Sequence, residues 1–156
     1  QESKFGYDHV CFTTEINPGS GFKPLNKIAS GGELSRFLLA AKLCFFGEDS
    51  KKTQIFDEID RGVGGATASA IGKRLLELSK HEQVLVVTHS PQVAAYSDNH
   101  LKVEKVNSDK STITKVTTLN EEKTVREIAR MLSGELVTSE ALAAAAKLRN
   151  TSRGTS

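Results

Sequence analysis

The chain has 156 residues, with 21 Lys and Arg against 19 Asp and Glu, a net charge of +2 and 26% charged residues. That balance excludes a polybasic nucleic-acid tail and an acidic disordered segment. With its 12 glycines added, about 45% of the chain is apolar, and a chain of about 150 residues can bury roughly 70% of its unfolded surface, so one compact domain is expected.

The longest apolar run, Ala141 to Ala146, falls far short of the roughly 20 residues that span a bilayer, and no apolar stretch follows Gln1-Glu2-Ser3-Lys4. Neither membrane insertion nor secretion is expected. Cys11 and Cys44 are far apart and are expected to be reduced and buried, which suits a cytoplasmic protein. The chain does not begin with Met and its first element comes at once, as in a piece of something longer.

In chain order, Val10, Phe12, Thr14 and Ile16 alternate with more polar residues, predicting a strand between Tyr7 and Asn17 that ends at the turn Asn17-Pro18-Gly19. Leu34, Phe37, Leu38, Ala41 and Phe45 follow helical spacing from Gly31 to Phe46, and Gly47 is placed to stop that helix. Thr53 to Phe56 is a short strand ending in acids. Beyond Gly62-Val63-Gly64-Gly65, the residues Ala68, Ile71, Leu75 and Leu78 mark a second helix, and Val84 to Val87 reads as a strand buried on both faces. His100 to Val106 and Thr112 to Leu119 alternate around a turn at Asn107-Ser108-Asp109, as in a hairpin. A helix follows through Val125, Ile128, Ala129 and Leu132, capped by Asn120, and another over Ser139 to Leu148. The fold class expected is α/β, with a mostly parallel central sheet, flanking helices and antiparallel edge strands over residues 1–149, and a disordered tail over 150–156.

Three local patterns carry chemistry. Ile55-Phe56-Asp57-Glu58-Ile59-Asp60 sets carboxylates at the carboxyl end of a buried strand, where open α/β sheets bind ligands. In extended backbone Asp57 and Glu58 point to opposite faces, so one can hold a hydrated Mg²⁺ and the other a water aimed at a phosphoryl group. A strand that simply ends in solvent accounts for these acids equally well. Ser30-Gly31-Gly32-Glu33 opens the first helix as a capping box, and its two glycines, costly inside a helix, also let an anion approach the N–H groups. His89, after the Val84–Val87 strand, falls at the same sheet edge as the acids and is read either as a phosphate-facing imidazole or as a structural histidine. No G-x-x-x-x-G-K-[ST] phosphate cradle, G-x-S-x-G elbow or zinc spacing occurs in the chain.

Taken together and in this order, Ser30-Gly31-Gly32-Glu33-Leu34-Ser35-Arg36, Phe56-Asp57-Glu58-Ile59-Asp60 and Val87-Thr88-His89 resemble the second half of an ABC-type ATPase head, in the SMC-like branch. Lys27-Ile28-Ala29 before the glycines, Asp60-x-Gly62-x-x-Gly65, and Pro91-Gln92-Val93-Ala94 after the histidine narrow the likeness to a bacterial DNA-repair type of that branch. It covers about Val10 to Leu148. An ABC head of another SMC-like or RecF-like protein with a different chromosomal role is the alternative.

The resemblance implies a C-terminal head lobe whose phosphate-binding (Walker A) half lies N-terminal to it, beyond a long coiled coil, and an ATPase active only when that half and a second head complete the site. Asp57 would hold Mg²⁺ through water, Glu58 would be the general base, and His89 the switch histidine sensing the γ-phosphate. Ser30, Gly31, Gly32 and Glu33 would be the signature motif that meets ATP bound by the second head of a homodimer, with Asp60 and Gly62 to Gly65 at the interface between heads. DNA would be engaged through the assembled protein, in the cytoplasm at the nucleoid. Two residues depart from the family pattern: Arg61 stands where an aliphatic residue is usual, and Ser90 where an apolar one is expected.

Overall fold

The structure, a computed structural model, describes residues 6–7, 10–15, 18–27, 31–44, 52–108, 111–134 and 136–154. Two short strands, β1 (Thr13–Thr14) and β2 (Lys23–Pro24), pair antiparallel, and a 3-10 turn over Leu25–Lys27 follows. Helix α1 spans Gly31–Cys44, strand β3 Thr53–Asp57, helix α2 Gly65–Ser79 and strand β4 Gln83–Val87. A single turn of helix, α3 (Pro91–Ala94), precedes the hairpin of β5 (His100–Ser108) and β6 (Ser111–Leu119) and the helices α4 (Glu121–Ser133) and α5 (Ser139–Arg153).

Strands β3 and β4 are the parallel pair, in register from Thr53 opposite Gln83 to Asp57 opposite Val87, with α2 as the connection. The expected α/β character is present, but among the described residues the parallel part is this one pair, while β1–β2 and β5–β6 are antiparallel. The strand expected between Tyr7 and Asn17 is reduced to the two residues of β1, and Ile16 and Asn17 lie outside the described residues.

Two cores hold the chain together. The first gathers Ala68, Ile71, Leu75 and Leu78 of α2, the helix face its spacing predicts, with Leu39, Phe56, Ile59 and Val93. Gly72 on that helix is required by contact: a Cβ there would collide with the Tyr96 ring, whose hydroxyl lies 3.2 Å from the Ser69 hydroxyl. Helix α1 meets this core through Leu39 and the partly buried Leu43, whereas Leu34 and Leu38 are exposed, so its buried stripe lies one residue round from the expected face. Strand β4 also differs from expectation. Val84 and Val86 pack on the core, but Leu85 and Val87, together with Ile55 of β3, form an apolar face open to solvent. No other layer among the described residues covers it, which is why a run of consecutive apolar residues is buried on one face only.

The second core is built largely of alanines: Ala94, Ala95, Ala129, Ala141 and Ala145, with Ile128. Small side chains let α3, α4 and α5 approach closely. Asn120 caps α4 as expected, its Oδ1 accepting from the Lys123 N–H at 2.9 Å, and Thr138 caps α5 in the same way. The disordered tail expected from residue 150 is instead helical to Arg153, because Ser152 is buried and the last turn docks against α4. Cys11 and Cys44, expected to be buried, are both free and exposed.

Arg149 of α5 ties the second core together. Its side chain is 2% exposed, and Nη1 donates to the carbonyls of Ala95 at 2.8 Å and Ser97 at 2.5 Å. Nε and Nη2 form a two-pronged pair with Glu121 at 3.0 and 3.1 Å. The hydrogen bonds from Arg149 hold the Glu121 carboxyl below its ordinary range, and burial holds His100 below its own, opposed by Glu127. Both groups therefore bind fewer protons folded than unfolded. The stability they contribute is present at neutral pH, begins to fall below the ordinary histidine value of 6.5, and falls further below 4.5. Arg149→Ala is expected to cost about 3 kcal/mol, since it leaves one buried and one half-buried carbonyl without this donor, and to flatten the acid limb of the stability curve. Urea denaturation at pH 7 and pH 4 measures both, and an unchanged acid limb would contradict the pairing.

Candidate functional site

The register of β3 with β4 places the ends of both strands at one edge. Asp57 ends β3 opposite Val87, and the chain leaves both strands there, into Glu58-Ile59-Asp60 on one side and Thr88-His89-Ser90 on the other. The signature-like segment arrives at the same place from α1. A Cβ on Gly32 would lie 3.4 Å from the Glu58 carbonyl oxygen and 3.6 Å from that of Arg61, so the first turn of α1 rests directly on the acid loop. Gly31, by contrast, faces open space. Of the four residues read as an anion site, Gly31, Gly32 and Glu33 begin α1, and Ser30 lies outside the described residues.

Arg36, one turn along α1, fixes that contact. Its guanidinium donates to the carbonyls of Ile59 at 3.2 Å and Arg61 at 3.4 Å. The helix that opens with the glycines thus holds the loop that bears the acids, a role no spacing argument assigned to Arg36.

Glu58 does not continue the strand as expected. Its φ of 52° is left-handed, a conformation costing about 1–2 kcal/mol for a residue with a Cβ, so its side chain is set by a sharp turn and not by strand alternation. The turn is closed by the Arg61 N–H donating to the Glu58 carbonyl at 3.0 Å. Arg61 also pairs with the Glu58 carboxylate at 2.8 Å, between side chains 71% and 54% exposed. Such an open pair contributes at most about 1 kcal/mol and breaks readily. One departure from the family pattern therefore touches the proposed base directly. Backbone strain at an exposed carboxylate, beside a strand end, is the kind found at functional sites.

Asp60, expected at an interface between heads, packs within this chain. It is 5% exposed and turned inward, with Oδ2 accepting from the Thr88 hydroxyl at 2.5 Å and from the Ser90 N–H at 3.2 Å. Ser90, the other departure, also caps α3 through Val93. His89 between them is exposed, as are Asp57 and Glu58. Asp57, Glu58 and His89 are thus exposed at the ends of paired strands, with the first turn of α1 on the loop that bears Glu58, while Asp60 is buried. Among the described residues no group of three or more His, Cys, Asp or Glu is arranged to hold a metal ion, and no helix is long and apolar enough to cross a membrane.

No family model matches the sequence. The chain is 46% identical over 148 residues to the DNA repair protein RecN of Rickettsia bellii, covering 95% of this chain and 27% of that protein. To the protein of the same name from Streptomyces coelicolor it is 47% identical over 148 residues, again 95% of this chain and 26% of that one. For Treponema pallidum RecN the identity is 44% over 144 residues, 92% of this chain and 25% of the other. The chain spans about a quarter of the length of these relatives. A solved chain from structural work on ATP-driven dimerization and DNA-stimulated activation of SMC ATPases superposes with a TM-score of 0.50 at 22% identity, over 76% of this chain and 70% of that one, and shares its fold.

The left-handed turn gives a direct test of strain at Glu58. Glycine adopts that backbone freely, so Glu58→Gly is expected to be more stable than Glu58→Ala by about 1 kcal/mol, the reverse of the usual order. Parallel denaturation curves measure the difference, and an alanine variant as stable as the glycine one would contradict it.

Proposed function

We propose that this chain, which belongs to the RecN family of DNA repair proteins, is the signature-bearing, C-terminal lobe of an SMC-like ATPase head that hydrolyses ATP in the service of DNA double-strand break repair and recombination. The observation that carries the reading is the packing of α1, at Gly32, on the loop that bears Glu58. It joins a helix N-terminus suited to phosphate with an exposed, strained carboxylate on one surface. The sequence has no phosphate cradle of its own, so the γ-phosphate must be brought by another lobe.

Each residue then has a task. Asp57, exposed at the end of β3, offers one carboxylate to Mg²⁺, which suits an ion whose other ligands are water and substrate phosphates. When bound, that ion offsets charge developing on the phosphoryl oxygens. Glu58 accepts the proton of the attacking water once Arg61 lets it go. The His89 imidazole meets the γ-phosphate from the adjoining loop. Ser30, Gly31, Gly32 and Glu33 present the positive end of α1 to ATP held by a second head, where an N-terminal dipole and bare N–H groups favour an anion.

An exposed apolar face supports an adjoining lobe. Ile55, Leu85 and Val87 are 70%, 42% and 60% exposed on one face of the β3–β4 pair, and the N-terminal Walker A lobe of the same protein would cover them. DNA contact is assigned to the assembled dimer in the cytoplasm. Of the hairpin lysines, Lys102 is already paired with Glu104 at 2.8 Å and with Glu127 at 3.4 Å, which weakens any case for a free basic face, and Lys110 lies outside the described residues.

Co-expression with the N-terminal lobe tests the reading. Mg²⁺-dependent ATP turnover is expected from the assembled head and not from this chain alone, and Glu58→Gln is expected to lower it about 10²–10⁴-fold. Equal activity of the isolated chain would refute the division of the site between lobes, and an active Glu58→Gln head would refute Glu58 as the base.

A further inference from the structure

The Asp60 carboxylate presents a problem for a purely structural account. It is buried, its Oδ1 finds no hydrogen-bond partner among the described residues, and no cation is paired with it in the contacts described. A buried carboxylate in that state is costly, and an amide or a hydroxyl could tie two loops together at less expense. What the carboxylate does hold is specific. Oδ2 accepts from the Thr88 hydroxyl at 2.5 Å and the Ser90 N–H at 3.2 Å, and the same Ser90 N–H lies 2.9 Å from the Thr88 hydroxyl oxygen. The residues on either side of His89 are therefore clasped by one oxygen, both half-buried, while His89 itself is exposed.

We propose that Asp60 is a positioning residue for His89: its carboxylate grips Thr88 and Ser90 and so fixes the backbone from which the imidazole reaches the phosphate. The inference rests on the role given to His89 above and adds the means by which that role is kept. Asp60 lies two residues beyond Glu58, and Arg36 of α1 holds the Ile59 carbonyl between them. Any shift of the acid loop therefore moves the clasp, and the positions of the base and of the histidine are linked through a chain of named bonds. The second grip, on the α3 side, comes from Ser90, whose hydroxyl accepts from the Val93 N–H at 3.4 Å. Clasped at one end and helix-capped at the other, the histidine loop has little freedom to drift.

The experiment uses the full-length protein that carries this segment, with kcat and KM for ATP measured for Asp60→Ala, Thr88→Val and Thr88→Ser, each alone and with His89→Ala. Glu58→Gln is the control for hydrolysis itself. If the clasp positions the histidine, Asp60→Ala and Thr88→Val each lower kcat about 10- to 100-fold with KM within about 3-fold, as expected for misplacement of a reacting group. Thr88→Ser, which keeps the hydroxyl, stays within about 3-fold of the parent. When His89 is already alanine, neither change lowers kcat by more than about a further 2-fold, because contacts acting through one residue are not additive. Thr88→Val is nearly isosteric and serves where Asp60→Ala does not fold, with melting curves recorded for every variant. Losses that multiply on top of His89→Ala, or full activity in Asp60→Ala and Thr88→Val, overturn the proposal while leaving hydrolysis by Glu58 standing. An unimpaired His89→Ala protein overturns it too, since there is then nothing to position. Activity surviving in Glu58→Gln instead refutes Glu58 as the base, and a full-length parent that turns over no ATP refutes the ATPase reading on which the proposal rests.

Discussion

Everything at the candidate site follows from the parallel register of β3 and β4. With Thr53 opposite Gln83 and Asp57 opposite Val87, two chain exits are brought to one edge, and each must turn sharply to leave it. One turn makes Glu58 left-handed, and the other carries His89 into solvent between two half-buried neighbours. A slip of the register by one residue would send Phe56 out of the core and Asp57 to the wrong face. The apolar alternation of the two strands therefore positions the acids. Leu39, Phe56 and the stripe on α2 hold that register, so the core and the site are one construction.

The second core does a different task with different material. Alanine contacts bring α3, α4 and α5 close together but bury little area per residue, and the gap is filled by polar bonds. Arg149 supplies most of them, joining the segment after α3 to the start of α4 through two carbonyls and Glu121. The chain just beyond the histidine loop is thereby anchored to the last helix. The loop lies between a rigid strand and this anchor, with Asp60 bracing it from the side.

How much of this could be read beforehand varied with how far each residue's fate is local. The α2 stripe was legible because four apolar residues at helical spacing admit one face, and the Asn120 cap because capping is decided within four residues. The face of α1 was misread because Leu34, Leu38 and Leu39 offer two neighbouring stripes, and the choice belongs to partners distant in sequence. Val84 to Val87 looked buried on both sides because an apolar run carries no record of what covers it. The tail looked polar and loose, yet Ser152 is buried by a docking its own composition does not disclose. At the candidate site, the residue types and their order pointed to the acids and the histidine at the ends of the two strands, and the parallel register sets those ends side by side. The left-handed Glu58, the Arg61 pair and the inward turn of Asp60 were not legible, since each depends on backbone geometry after a strand end.

The energetic costs at this edge fall on two adjacent features with opposite surroundings. Glu58 carries backbone strain in the open, where its charge is well solvated and its one partner, Arg61, is easily lost. Asp60 carries a desolvated oxygen in ordinary turn backbone, where its bonds to Thr88 and Ser90 are shielded from water and correspondingly strong. A carboxylate that must exchange partners during a reaction belongs in the first setting, and one that must never move belongs in the second. The roles proposed for Glu58 and Asp60 match these two settings, two residues apart, with the Ile59 side chain fully buried between them and its carbonyl held by Arg36. That anchored residue separates an exposed, strained Glu58 from a buried Asp60, and it ties both to the first turns of α1.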